Sequence, residues 1–328
     1  MKIVIADYSD SMMPAHEYER EILKHGLKDC EVVVYEYSDE QRAEFFDVIK
    51  DADALLTAFI RIDAEAMDHA PHLKVIAINA TGYDNVDLLE ANKRKIGVCP
   101  VGEYCTVDVA EFTISMMMAL VKNLKVYSQA VDLHHQWRYD SGVPNRRLEE
   151  MKLGIFGFGK IGRQVGKRAK ALGMKVIACD PFIDQNIGKE LGIELVDREE
   201  IFDHAEVITN HMNLNKTNVH FFNSAVFRKM KRQPYFINMG RGTCVVENDL
   251  IKALNYEWLK GAALDVLSDE TPDLANHPLV GRSNVLISPH AAFYSSTSIR
   301  ELQRISTENI VYYLNGEKEK VFKLVSEN

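Results

Sequence analysis

The sequence lacks any apolar run long enough to span a bilayer. Its longest, Phe112 to Val121, contains Thr113 and Ser115 and is half of the roughly 20 residues a membrane helix needs. A secretory leader is missing too, because the opening MKIVIADYSD reaches Asp7 after a very short apolar run, whereas an export signal needs roughly 7–15 uninterrupted apolar residues. That opening reads as a strand, and a cytoplasmic location is expected. Basic residues are in deficit, 39 against 48 acidic, for a net charge of -9. This leaves no electrostatic footprint for nucleic acid or an anionic membrane surface, and a small anionic ligand would need a local positive site. The five cysteines, Cys30, Cys99, Cys105, Cys179 and Cys244, are odd in number, widely spaced and without a CxxC pair. They read as reduced thiols rather than as a disulfide framework or a zinc site. His134-His135 does not make a metal site either, since neighbours on a helix point about 100° apart. No metal is expected. Internal repeats and low-complexity segments are likewise lacking.

What is there is a 328-residue chain, 46% hydrophobic and 27% charged, the balance of a globular protein with two domains of about 150 residues each. Short β-branched runs alternate with helical patterns, which predicts an α/β fold. In the first hundred residues strands are expected at Lys2–Ala6, Glu31–Glu36, Ala54–Thr57, Val75–Ile78 and Gly97–Cys99, and helices near Glu17–His25, Asp39–Ile49, Asp63–His69 and Leu88–Arg94. The stretch Val107 to Leu133 reads as one extended helix, with Met116-Met117-Met118 as core or interface filler. A second alternation predicts six strands, at Leu153–Phe156, Lys175–Cys179, Val207–Thr209, Tyr235–Asn238, Gly261–Val266 and Val285–Ser288. Helices are expected between them at Lys160–Leu172, Glu190–Leu195, Ser224–Met230 and Glu247–Asn255. A final amphipathic helix is expected after the cap candidates Ser295-Ser296.

In LGIFGFGKIGRQVGKRAKALGMKVIACDP, Gly157, Gly159 and Gly162 form GxGxxG between an apolar strand and an amphipathic helix. Asp180 ends the next strand, 18 residues after Gly162. Strand, glycine turn, helix, strand and acid together point to a dinucleotide. Gly157 permits the tight turn, Gly159 lets the backbone approach the pyrophosphate, and Gly162 lets helix pack on sheet. The N–H groups near Lys160 and Ile161 face the phosphates. Asp180 would accept hydrogen bonds from the ribose hydroxyls and repel a 2′-phosphate, so NAD is favoured over NADP.

Three more ionisable residues fall at predicted strand ends, Arg241 and His290 just past them and Asp265 as the penultimate residue of one, where open α/β sheets put their ligands. Arg241 lies between Gly240 and Gly242, on a bare turn that a carboxylate could approach for bidentate binding. His290 follows Ser288-Pro289 and precedes Ala291-Ala292. Glu270 stands in DVLSDETP. Taken singly, each also fits a bland reading as a surface turn residue, a structural histidine or a solvated acid.

Over essentially its whole length the chain resembles the D-isomer-specific 2-hydroxyacid dehydrogenases, in NATGYDNVD, VAEF, LGIFGFGKIG with Asp180, INMGRG, GAALDV with Glu270 beyond it, and SPHAA. The resemblance implies two Rossmann-like doubly wound parallel-sheet domains with a cleft between them. Residues 1–102 plus 295–328 would form the substrate-binding domain and 103–294 the NAD-binding domain, with hinges near Val101–Tyr104 and Ala292–Ser295. It implies a catalytic set of Arg241, Glu270 and His290. His290 would act as general acid toward the keto oxygen, and as base in reverse. Glu270 would hold the imidazole in place and favour its cationic form. Arg241 would anchor the substrate carboxylate and polarise the carbonyl. Asp265 would lie near the nicotinamide carboxamide. Main-chain N–H groups around Ala80, Thr81 and Gly82 would bind the substrate carboxylate, with Tyr104 and Thr106 at the pocket edge. A homodimer is expected through the cofactor domain and the Val107–Leu133 helix, and Trp137 could reach a partner subunit.

The expected reaction is the reversible reduction of a small unphosphorylated 2-keto acid. Thr57 and Ile78 stand where phosphoglycerate-type members are expected to carry arginines, and such an enzyme would also bring a regulatory domain after Asn328. Glu270 argues against a formate dehydrogenase, which has glutamine there. An NAD(H)-sensing interaction module, like the related corepressors, is the rival from another class. Asn213 and Asn218 replace the family's usual proline and threonine, which puts the local loop path in question.

Overall fold

Short apolar runs rich in β-branched residues become strands throughout the chain. The computed structural model describes residues 1–11, 13, 15–269 and 271–326. It divides into one unit of Met1–Tyr104 with Ser295–Asn328 and a second of Cys105–Tyr294.

In the first unit the strands are β1 (Lys2–Tyr8), β2 (Glu31–Tyr37), β3 (Ala54–Thr57), β4 (Val75–Ile78) and β5 (Gly97–Pro100). All pair in parallel in the order β2-β1-β3-β4-β5. Because successive side chains point to opposite faces, Val4, Leu55, Ile76 and Val98 pack with Phe45 and Ile49 on one side. Ile3, Ile5, Leu56 and Ala77 pack on the other with Leu23 and with Ile310 and Tyr313 of the terminal helix, Ser296–Leu314. Burial on both faces is why these strands read as continuous apolar runs.

The second unit holds β6 (Lys152–Phe156), β7 (Lys175–Cys179), β8 (Glu194–Leu195), β9 (Val207–Asn210), β10 (Tyr235–Asn238), β11 (Gly261–Leu264) and β12 (Val285–Ile287). They are parallel, in the order β12-β11-β10-β9-β6-β7-β8. The chain reverses direction across the sheet between β6 and β9. In a doubly wound sheet such a switch point is where a dinucleotide binds.

Four expectations need correction. The stretch Val107–Leu133 is two helices, Thr106–Val121 and Leu124–Asp132, broken at Asn123, whose φ of 53° lies in the left-handed region that asparagine tolerates. The segment Glu190–Leu195 is not a helix: a helix over Gln185–Leu191 stops at Gly192, φ 59°, and β8 follows as a seventh strand. A helix over Arg198–His204, capped by Asp197, went unforeseen. The stretch Asp39–Ile49 opens with a 3-10 turn, and its α-helix starts at Arg42.

Candidate active site

The glycine motif joins β6 to the twelve-residue helix Lys160–Ala171. Gly157 has φ 84°, and a Cβ there would sit 2.6 Å from the backbone of His211 and Met212, which follow β9. Gly162 could not carry a Cβ without striking the carbonyl oxygen of Gly157. Gly159 is different: nothing lies within 4 Å of its would-be Cβ. Two glycines are therefore demanded by the protein's own packing, while the third opens onto space that a close-approaching ligand could fill. The first i→i−4 bond of the helix runs from Arg163 N–H to Gly159 O, so the N–H groups of Lys160 and Ile161 stand ahead of it at the positive end of the helix dipole. Asp180 accepts the Phe158 N–H inside this loop through Oδ2 at 2.8 Å and the Phe182 N–H through Oδ1 at 3.0 Å. The acid at the end of β7 is thus drawn against the glycine turn. These residues fit a dinucleotide: room at Gly159 for the pyrophosphate, helix N–H groups for its charge, and a carboxylate beside it for ribose hydroxyls.

Two buried asparagines end adjacent strands and shape the loops beyond. Asn238 Oδ1 accepts from Asn210 Nδ2 at 2.9 Å and from the Gly240 N–H at 3.2 Å, and its Nδ2 donates to Arg241 O at 3.1 Å. This staples the turn from which Arg241 projects, exposed, its Nη1 donating to Gly240 O at 3.0 Å. Asn210 Oδ1 in turn accepts the Met212 N–H at 3.2 Å. The first residue after β9, His211, is half-buried, but both its ring nitrogens are shielded from solvent and neither has a partner among the described residues. Burial pushes its imidazole down to about 3, so it is neutral near pH 7.

His290 depends on Asp265. The Asp265 carboxylate, only 3% exposed, accepts from Ser288 Oγ at 2.6 Å, Ala291 N–H at 2.8 Å and Ala292 N–H at 3.0 Å. The His290 N–H donates to Asp265 O at 2.8 Å. This accounts for the φ of 51° at His290, a conformation that non-glycine residues hold only when the surroundings over-determine it. His290 is exposed, with Phe293 edge-on at 6.3 Å. By register Asn238 pairs with Leu264 and Leu264 with Ile287. Arg241 and His290 therefore each stand three residues past matched strand ends, on the same edge of one sheet. Glu270 lies outside the described residues.

In the first unit, Ala80, Thr81 and Gly82 form the loop after β4. Ala80 O accepts the Val101 N–H at 3.0 Å, while Gly82 has open space where a side chain would stand, with only Asp84 Oδ2 at 3.9 Å. Asn85 ties this loop to the one after β3 by donating to Ile60 O at 2.8 Å. Thr57 and Ile78 are both buried. The loop with Asn213 and Asn218 closes on itself: Asn218 Nδ2 donates to Asn213 O at 2.7 Å and its Oδ1 accepts the Asn215 N–H at 2.8 Å. Sequence reasoning missed Asn210, Asn238 and Ser288. The usable signal was an asparagine as the last residue of each of two neighbouring apolar runs. Among the described residues no group of three or more His, Cys, Asp or Glu could hold a metal, and no helix is long and apolar enough to cross a membrane.

Residues 114–292 match the family model of the D-isomer specific 2-hydroxyacid dehydrogenase, NAD binding domain. Over 301 residues the chain is 34% identical to a glyoxylate reductase of Thermofilum pendens, covering 89% of this chain and 88% of that protein. It is 30% identical over 299 residues to a hydroxypyruvate reductase of Blautia hydrogenotrophica, covering 89% and 91%. The D-lactate dehydrogenase of Aquifex aeolicus, solved with NAD and lactic acid, superposes with a TM-score of 0.81 at 25% identity, with 99% of each chain covered.

Proposed function

Because the chain belongs to the D-isomer-specific 2-hydroxyacid dehydrogenase family and is an NAD-dependent oxidoreductase, we propose that it reversibly reduces a small unphosphorylated 2-keto acid to the D-2-hydroxy acid. When bound, the nicotinamide cofactor supplies or accepts the hydride at the substrate's second carbon. Gly157, Gly159, Lys160, Ile161 and Gly162 hold its pyrophosphate, and Asp180 selects NAD by accepting from the ribose hydroxyls and repelling a 2′-phosphate.

His290 gives a proton to the keto oxygen as charge grows there, and takes it back in the reverse direction. Glu270 orients that imidazole. Arg241 pairs with the substrate carboxylate and polarises the neighbouring carbonyl. The N–H groups of Ala80, Thr81 and Gly82 are further donors to the carboxylate. Asp265, besides the nicotinamide end of the cofactor site, serves His290 through its three hydrogen bonds to the 288–292 turn.

The observation that carries this reading is the pairing of Arg241 and His290 at equal distance past register-matched strand ends, on the sheet that also bears the glycine turn. An unphosphorylated substrate is supported by Thr57 and Ile78, buried apolar or neutral positions where a phosphate would need cations. The exposed Leu133, Trp137, Tyr139 and Val143 support a homodimer that covers them, and five free thiols support a reducing, cytoplasmic setting. A panel of 2-keto acids, with and without phosphate, followed by NADH absorbance tests the reading. Turnover of the unphosphorylated acids is expected. Tight NADH binding with no turnover of any of them would overturn it in favour of a cofactor-sensing module.

A further inference from the structure

In the first unit the chain reverses direction between β1 and β3, and at the carboxyl ends of those strands, the position where open α/β sheets take ligands, lies a small cavity. Asp7, Ser11, His16, Thr57 and Asn79 supply its polar lining, and its free room is about 10 Å³, enough for one water or one hydroxyl group. Most of the polar wall is spoken for. The Asp7 carboxylate accepts the N–H groups of Tyr8, Ala58 and Phe59, and Asn79 Oδ1 accepts from Ser306 Oγ.

Two atoms are not. Thr57, 1% exposed, has an Oγ1 without a partner among the described residues, and the same holds for His16 Nε2. Polar groups buried without partners are costly, which points to a missing occupant. The chemistry of that occupant follows from Glu19. This carboxylate is fully buried, accepts from Gln303 Nε2 at 2.9 Å and lies 3.2 Å from His16 Nδ1. A carboxylate at Nδ1 holds the ring proton there and leaves the Nε2 lone pair turned away from it as an acceptor. The occupant therefore donates one hydrogen to His16 and exchanges a second hydrogen bond with the Thr57 hydroxyl. A water does both, and so does an alcohol that displaces it; a methyl group does neither, and a phosphate is too large.

We infer that this cavity is a subsite for the hydroxyl of a 3-hydroxy-2-keto acid, read by Thr57 and His16, with Glu19 as the positioning residue. It adjoins the Ala80–Gly82 loop, which starts at the residue after Asn79, and the inference rests on the assignment of that loop to the substrate carboxylate. A site built to bond a hydroxyl discriminates against the analogue that lacks it, because its own polar groups are then left unpaired.

The test measures kcat/KM of the full chain for hydroxypyruvate, pyruvate and glyoxylate with NADH. Thr57→Val, nearly isosteric, is expected to lower the value for hydroxypyruvate about tenfold, the worth of about one buried hydrogen bond, and to leave pyruvate unchanged. Thr57→Ser should restore it. His16→Leu, on a different loop, should give the same selective loss, so a misfolded Thr57→Val protein does not shield the inference. Equal loss on all three acids, or no loss on any, overturns the subsite while leaving the reductase reading intact. Failure of the wild-type chain to reduce any of the three overturns both.

Discussion

Three glycines share one motif, yet the chain needs them for different reasons. Gly157 and Gly162 answer to the backbone around them, whereas Gly159 meets nothing within 4 Å. Gly159→Ala should therefore fold with an unchanged Tm and bind NADH at least about tenfold more weakly, a loss of about 1.4 kcal/mol in fluorescence titration. Gly157→Ala should instead lower the Tm, since φ 84° and a backbone contact at 2.6 Å oppose any side chain there. For His290→Ala, turnover should fall by at least about 100-fold, the usual worth of a general acid, with NADH affinity retained; a normal rate would remove His290 from its assigned role. His211 gives the protein an acid-side liability. Above its ordinary value of 6.5 the imidazole is neutral both folded and unfolded and contributes nothing. Below it the unfolded chain takes up a proton that the folded chain, near 3, refuses, so stability falls as pH drops through this window, by about 1.4 kcal/mol per pH unit for this group. Urea unfolding at pH 7, 6 and 5 should give a shallower decline for His211→Gln than for the wild type.

Helix ends carry the next level of organisation. The terminal helix Ser296–Leu314 starts in a capping box, with Ser295 Oγ accepting the Ser298 N–H at 3.0 Å and Ser298 Oγ accepting the Ser295 N–H at 3.1 Å. Its inner face then packs Ile310, Val311 and Tyr313 into the first unit's core. Ser295→Ala should cost about 1 kcal/mol and lower the Tm by roughly 2–4 °C, as seen by calorimetry. The break at Asn123 follows the same logic in reverse. One residue in the left-handed region ends the Thr106–Val121 helix, and the next begins at Leu124. Composition over Val107–Leu133 is apolar and helix-favouring on both sides, so periodicity alone did not expose the break.

Exposed apolar side chains gather after the second of these helices. Trp137 is 91% and Tyr139 is 92% exposed, with Leu133 and Val143 nearby in sequence, an unusual cost for a chain of one copy. For the homodimer proposed above, Trp137→Asp combined with Tyr139→Ser should shift the sedimentation coefficient from dimer toward monomer at micromolar concentration. A wild-type chain that sediments as a monomer would refute the homodimer.

Fold class and cofactor motif were legible in the linear chain because both rest on local rules. Apolar runs bounded by turn residues become buried parallel strands, and GxGxxG followed by an acid at the next strand end needs only nearby neighbours to make sense. Arg241, Asp265 and His290 were legible as strand-end residues for the same reason. Folding in three dimensions was needed for the contacts that cross the sheet. The Asn210–Asn238 pair and the three hydrogen bonds by which Asp265 holds the His290 turn in a left-handed conformation join residues more than twenty positions apart. Hydrophobic periodicity does not register such polar partnerships, because they depend on which strands become neighbours and in what register.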